Sequence, residues 1–157
     1  MAEEQMSIRA VDHWTASPGS SAVSCSTVQL ITVGVLRVPF MFQNLEVYQK
    51  ALDLADAIAT LVERFDHRHR VLADHLTRAS ISVPLNIAEG NGRFHKADRK
   101  QFFAVARGSI HECVALLELS RRRGVVSDDA HLHLTGELET VAKMLGGLMA
   151  GLDRRGK

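Results

Sequence analysis

The chain has 157 residues, 46% of them apolar and 24% charged, enough for one domain with its own core. Nineteen Lys and Arg against eighteen Asp and Glu leave a formal charge of +1, so bulk charge does not announce a polyanion or membrane partner. The two cysteines, Cys25 and Cys113, exclude a disulfide framework and a four-cysteine zinc site.

Residues 1–40 differ from the rest. Thr15 to Thr27 is serine-rich, carries Pro18 and Gly19, and shows no helical period. The apolar run Val28–Val38 is too short for a membrane span, which takes about 20 apolar residues. Glu3 and Glu4 stand where a secretory signal would be basic. The segment reads as a disordered or accessory leader. A second reading takes Met41 as the natural start and 1–40 as translated upstream sequence. With neither span nor signal, a cytoplasmic location is expected.

From Asn44 the apolar period becomes helical. Asn44 is a candidate N-cap for a first helix with the stripe Leu45, Tyr48, Leu52, Ala55, Ile58, Val62 and Phe65. The second stripe, Leu72, Leu76, Ala79, Val83 and Ile87, keeps its phase across Pro84, so a kink is expected there rather than a break. Gly90-Asn91-Gly92 reads as the C-cap and turn of that helix. The third stripe is Phe102, Phe103, Ala106, Ser109, Ile110, Cys113 and Leu117, ending at Arg121-Arg122-Arg123-Gly124. The fourth is Leu134, Leu138, Val141, Leu145, Leu148 and Leu152, with Ser127 placed to cap it and Asp128 and Asp129 in its first turn. Gly146-Gly147 inside the fourth helix costs about 1 kcal/mol per residue relative to alanine, so close helix packing within the bundle or between subunits is its expected use. Four amphipathic helices on short connections predict an all-α, antiparallel up-down-up-down four-helix bundle over 41–153, between the leader and a basic tail at 154–157.

The segment Arg78-Ala79-Ser80-Ile81-Ser82-Val83-Pro84-Leu85-Asn86-Ile87-Ala88-Glu89-Gly90-Asn91-Gly92-Arg93 is distinctive. It resembles the signature of the bacterial four-helix-bundle proteins first noticed in intervening sequences of large-subunit ribosomal RNA genes. Phe42-Gln43-Asn44-Leu45-Glu46-Val47 resembles that family's opening, and Phe103 to Glu112, with Gly108-Ser109 and Glu112, resembles its third-helix pattern. The likeness spans about 41–152. It implies a bundle that associates into a ring-shaped homo-oligomer, often a pentamer. A related branch serves diversity-generating retroelements as an accessory protein that binds a reverse transcriptase and its RNA, so a structured RNA or such a nucleoprotein is the implied partner. One departure is His95, where relatives often place a Ser or Thr cap; Asp98 or the Gly92-Arg93 turn must then substitute.

Physically the motif reads as structural first. Small Ala79, Ser80 and Ser82 let helices approach closely; Asn86 and Glu89 share a face, as do Ser109 and Glu112. Buried, these groups need each other, Arg78 or Arg107 as partners, which predicts a polar network between helices fixing their register. The set Arg78, Ser82, Pro84, Asn86, Glu89, Gly90, Ser109 and Glu112 is therefore assigned to architecture, not catalysis.

The near-neutral total hides an asymmetry: 41–63 carries −3, 64–123 carries +6 and 124–153 carries −4. Arg64, Arg68, Arg70, Arg93, Lys96, Arg99 and Lys100 are expected to gather near loops as a basic patch for phosphate backbones, with Arg121, Arg122 and Arg123 as further candidates. The same three arginines also suit a helix C-terminus by themselves. Few aromatics lie off the core stripes, so base stacking is not expected. The pairs His67/His69 and His131/His133 point opposite ways on a helix, and no Glu has a His three residues later, so no metal or other cofactor is called for. No nucleophile–base arrangement emerges. The sequence points to a non-enzymatic, self-associating adaptor that binds RNA or a nucleoprotein, or alternatively to a protein–protein scaffold.

Overall fold

A computed structural model describes residues 40–154; the expectations for 1–39 and for the last three residues of the tail lie outside the described residues. After a 3-10 turn at Met41–Asn44 come α1 (Glu46–Val62), α2 (Arg70–Gly92), α3 (Lys96–Arg122) and α4 (Asp128–Arg154), with a second 3-10 turn at His67–His69 before α2. Among the described residues there is no strand. α1 packs on α2 and α4, and α3 packs on the same two helices, so chain order is also the order around the bundle. This is the expected up-down-up-down arrangement, and its most extensive interface lies between α2 and α3.

The stripes expected on α2, α3 and α4 are the faces that bury. Leu76, Val83, Ile87, Ala106, Cys113, Leu117, Leu138, Val141 and Leu145 are fully enclosed, and Leu72, Ala79, Phe103, Ile110 and Leu134 nearly so. Each large aliphatic in this set contributes about 1.5–3 kcal/mol by leaving water. Cys113 is part of that core, and burial pushes its thiol up to about 12, where it is no nucleophile.

α1 differs from its expected stripe. Val47, Ala51, Leu54 and Ile58 face the core, Leu45, Tyr48 and Val62 of the expected series pack at its edge, and Leu52 is exposed. The expected series took four three-residue steps and only two four-residue steps, which drifts around a helix of about 3.6 residues per turn; the observed series alternates four and three and does not drift. Nor does Asn44 cap the helix. It lies in the 3-10 turn, and Leu45 holds the cap position without a side-chain bond.

The ends of the other helices follow local chemistry. Asp66 accepts from the Arg68 amide at 3.1 Å and so starts the 3-10 turn that leads into α2. α2 runs unbroken through Pro84 and on to Gly92, which removes the C-cap reading of Gly90-Asn91-Gly92. Gly90 has a different purpose. A Cβ there would stand 2.8 Å from Phe103 Cε1 and 3.0 Å from Phe102 Cβ, so α3 can lie this close only against a bare backbone. His95 begins α3 without a side-chain cap, with Asp98 in the first turn. α3 ends in a Schellman motif: Gly124 takes φ 70°, its N–H donates to Arg121 O at 2.9 Å, and the Val125 N–H donates to Ser120 O at 3.0 Å. Ser127 caps α4 as expected, its Oγ accepting from the Ala130 amide at 3.2 Å.

Gly146, Gly147 and Gly151 have no atom within 4 Å of where a Cβ would stand. Close packing inside the bundle, one of the two uses expected for Gly146-Gly147, is therefore not their use.

Candidate functional site

The antiparallel course divides the expected basic patch. α2 has 23 residues, so its ends lie about 34 Å apart at about 1.5 Å per residue. Arg64, Arg68 and Arg70 flank the α1–α2 link, at the end where α3 finishes in Arg121, Arg122 and Arg123. Arg93, Lys96, Arg99 and Lys100 belong to the opposite end. Two clusters replace one.

Most of these cations are already engaged. Arg68 and His69 bond Asp66, at 2.8 and 2.7 Å, and Arg70 lies 3.9 Å from Asp74. Arg121 joins Glu118 at 2.8 Å and Asp128 at 3.0 Å, and Arg122 joins the same Glu118 at 2.7 Å. At the other end Arg93 pairs with Glu89 and lies over the Phe102 ring, 4.6 Å from its centroid. Lys100 reaches Asp153 at 2.8 Å, and Arg99 donates to Asn91 Oδ1 at 3.0 Å. Lys96 is exposed. Arg64 and Arg123 are exposed and without a carboxylate partner among the described residues.

Glu118 is the hub of the first end. Hydrogen bonds from Arg121 and Arg122 hold its carboxyl down from 4.5 to about 2, and His131 Nε2 lies 3.3 Å away on α4. Asp66 is also lowered to about 2, chiefly by its bond from Arg68. A depressed carboxylate stabilises the fold fully above its unfolded pKa and loses that effect as pH falls through its folded one. Acid melting should therefore lower stability between about pH 4.5 and 2, and Glu118→Gln should flatten that slope; thermal melts over this range check it.

The motif residues form a seam between α2 and α3. Ser82 Oγ and Ser109 Oγ share a hydrogen bond of 2.8 Å across the helices. Asn86 Nδ2 donates back to Ser82 O at 2.7 Å and lies 3.0 Å from Ser82 Oγ, and Ser109 Oγ also reaches Val105 O at 3.2 Å. The expected register-fixing network is thus Ser82, Asn86 and Ser109. Arg78, Glu89 and Glu112 are not members: all three are exposed, because their positions fall on the outer side of α2 and α3. Ser109→Ala should cost about 1 kcal/mol in urea unfolding, whereas Glu89→Gln should leave the midpoint unchanged.

Outside this seam, Arg78, Ile81, Ser82, Leu85, Asn86 and Glu89 line an open groove of about 360 Å³. Ile81 is 46% exposed, Leu85 62% and Val105 43%. Sequence reading missed this face. Its signal was the pair Ile81 and Leu85, four apart and off the core stripe of α2, which have no internal reason to be apolar. Among the described residues no group of His, Cys, Asp or Glu is arranged to hold a metal ion, and no helix is long and apolar enough to cross a membrane.

The family model for the 23S rRNA-intervening sequence protein matches residues 43–147, which holds all of α1, α2 and α3 and most of α4. The chain belongs to that family. The solved structures include one of similar fold, a protein with unknown function from the S23 ribosomal protein family of Bacteroides thetaiotaomicron. It matches with a TM-score of 0.62 and 21% identity, over 66% of this chain and 97% of that one. At that identity the likeness speaks for the fold. A comparison with curated proteins finds no match. In this 23S rRNA-intervening sequence family protein, the signature segment is thus the α2 side of a helix–helix seam. Its conformational demands are met by Gly90 against Phe103 and by Ser82 against Ser109.

Proposed function

We propose that the protein is a non-enzymatic adaptor that self-associates through the outer α2–α3 face and binds RNA or a nucleoprotein with its cationic ends. The observation that carries the reading is the uncovered aliphatic strip Ile81, Leu85 and Val105 beside the Ser82–Ser109 seam, flanked by Arg78 and Glu112. Both charged groups lack an internal partner among the described residues. Exposed aliphatics framed by unspent opposite charges suit an interface between identical copies, where one copy's Arg78 meets another's Glu112. A closed ring of copies, a pentamer by family resemblance, would set equivalent ends side by side and multiply the field of Arg64 and Arg123 toward phosphates.

The second reading is a protein scaffold without nucleic acid. Its support is the number of candidate cations engaged by Asp66, Glu118 and Asp153.

Sedimentation of the full chain, followed by titration with a structured RNA over a salt series, tests both. The adaptor reading expects an oligomer that Leu85→Glu dissociates, and RNA binding that falls steeply with salt and weakens in Arg64→Ala/Arg123→Ala. A monomer at micromolar concentration overturns self-association. An oligomer that ignores RNA at low salt leaves the scaffold.

A further inference from the structure

Between the N-terminus of α1, the end of α2, the start of α3 and the last turns of α4, the bundle holds a cavity of about 660 Å³. That size falls within the range of about 300–1,000 Å³ typical of small-molecule sites. Val47, Phe103, Met144, Leu148 and Leu152 make its wall apolar. The space exists because α4 carries Gly147 and Gly151 there, where no atom stands within 4 Å of an added Cβ. Larger side chains at those two positions would project into this space; the glycines leave it open.

One cation is built into this wall. Arg99 is partly buried, its Nη2 is steered by Asn91 Oδ1 at 3.0 Å, and its Nε is sealed from solvent with no acceptor. A buried N–H without a partner is unfavourable, and an acceptor brought to the guanidinium relieves it after a small rotation of the side chain. Glu46 also borders the cavity, but it is exposed, so water and salt screen its charge more than that of Arg99.

From this pairing of an apolar cavity with a single half-buried guanidinium, we propose that the end of the bundle binds a small amphipathic carboxylate. The aliphatic chain lies against Phe103, Met144 and Leu148 over the two glycines, and the carboxylate meets Arg99. This site is separate from the α2–α3 face and independent of the adaptor reading.

The test titrates the full chain with octanoate below its micellar concentration and with octanol as the uncharged probe. Calorimetry gives the affinities, and the methyl resonance of Met144 reports the location. Saturable octanoate binding that shifts Met144 is expected, with octanol about tenfold weaker. Arg99→Met should bring octanoate down to the octanol level. Gly151→Leu should abolish binding of both probes while helicity is kept, because its side chain grows into the cavity and leucine favours helix. Equal affinity for the two probes, octanoate binding that leaves Met144 unmoved, or full binding by Gly151→Leu each overturns the proposal. So does an absence of saturation.

Discussion

Gly90→Val is expected to lower the stability of the bundle by about 3 kcal/mol, the upper part of the usual range for forcing extra carbon into a packed core. The Cβ alone would come within 2.8 Å of Phe103 Cε1, closer than real Cβ atoms stand to their neighbours, and within a tight 3.0 Å of Phe102 Cβ. Phe102 Cβ is tied to the α3 backbone, so turning the Phe103 ring alone does not make room, and relief has to come from separating α2 and α3. That separation would also stretch the Ser82–Ser109 bond of 2.8 Å. Urea unfolding of wild type and variant measures the loss. Gly147→Ala is the matched control: with nothing within 4 Å of its Cβ, it should gain about 1 kcal/mol from helix propensity alone. Loss at one glycine and gain at the other separates contact from propensity.

Phe103→Ala is expected to cost about 3–5 kcal/mol, the usual penalty for removing a buried aromatic ring. In a small domain with a total of about 5–15 kcal/mol, this puts the variant near the edge of folding at 37 °C. The two sites share one space. Gly90→Val/Phe103→Ala should therefore be more stable than the sum of the single losses allows, with a coupling of about 1–3 kcal/mol, because valine then fills part of what the ring vacated. A double-mutant cycle in urea gives that number directly; strict additivity would mean that the ring does not constrain Gly90.

Helix count, chain order around the bundle and three of the four core faces were legible because apolar periodicity and short connections are local properties. The Ser127 cap and the glycine at the end of α3 were legible for the same reason: a cap bonds residues two or three positions away. α1 was the exception. Its apolar residues lie on more than one face, so only contact with α2 and α4 adds Val47, Ala51 and Leu54 to Ile58 at the centre and turns Leu52 outward. Gly90 was visible as part of a signature and misread as a terminator, because its reason is an aromatic ring on the next helix.

The candidate binding residues were less legible still. Charge counted along the chain joined Arg64, Arg68 and Arg70 to Arg93, Lys96, Arg99 and Lys100 in one patch, yet the length of α2 carries them to opposite ends. Likewise, the motif's carboxylates belong by sequence with its serine and asparagine groups. Rotation about α2 and α3 instead turns Glu89 and Glu112 to solvent and leaves Ser82, Asn86 and Ser109 at the seam. Which segments are helical, where α3 ends and α4 begins, and that neighbours run antiparallel could be read from the residues alone, since those follow from bonds and burial within a few turns. Which polar groups meet, which cations are already paired and where a cavity remains follow from the packing of the four helices. Each of these depends on groups far apart in the chain being brought within a few ångströms, and no local pattern encodes that distance.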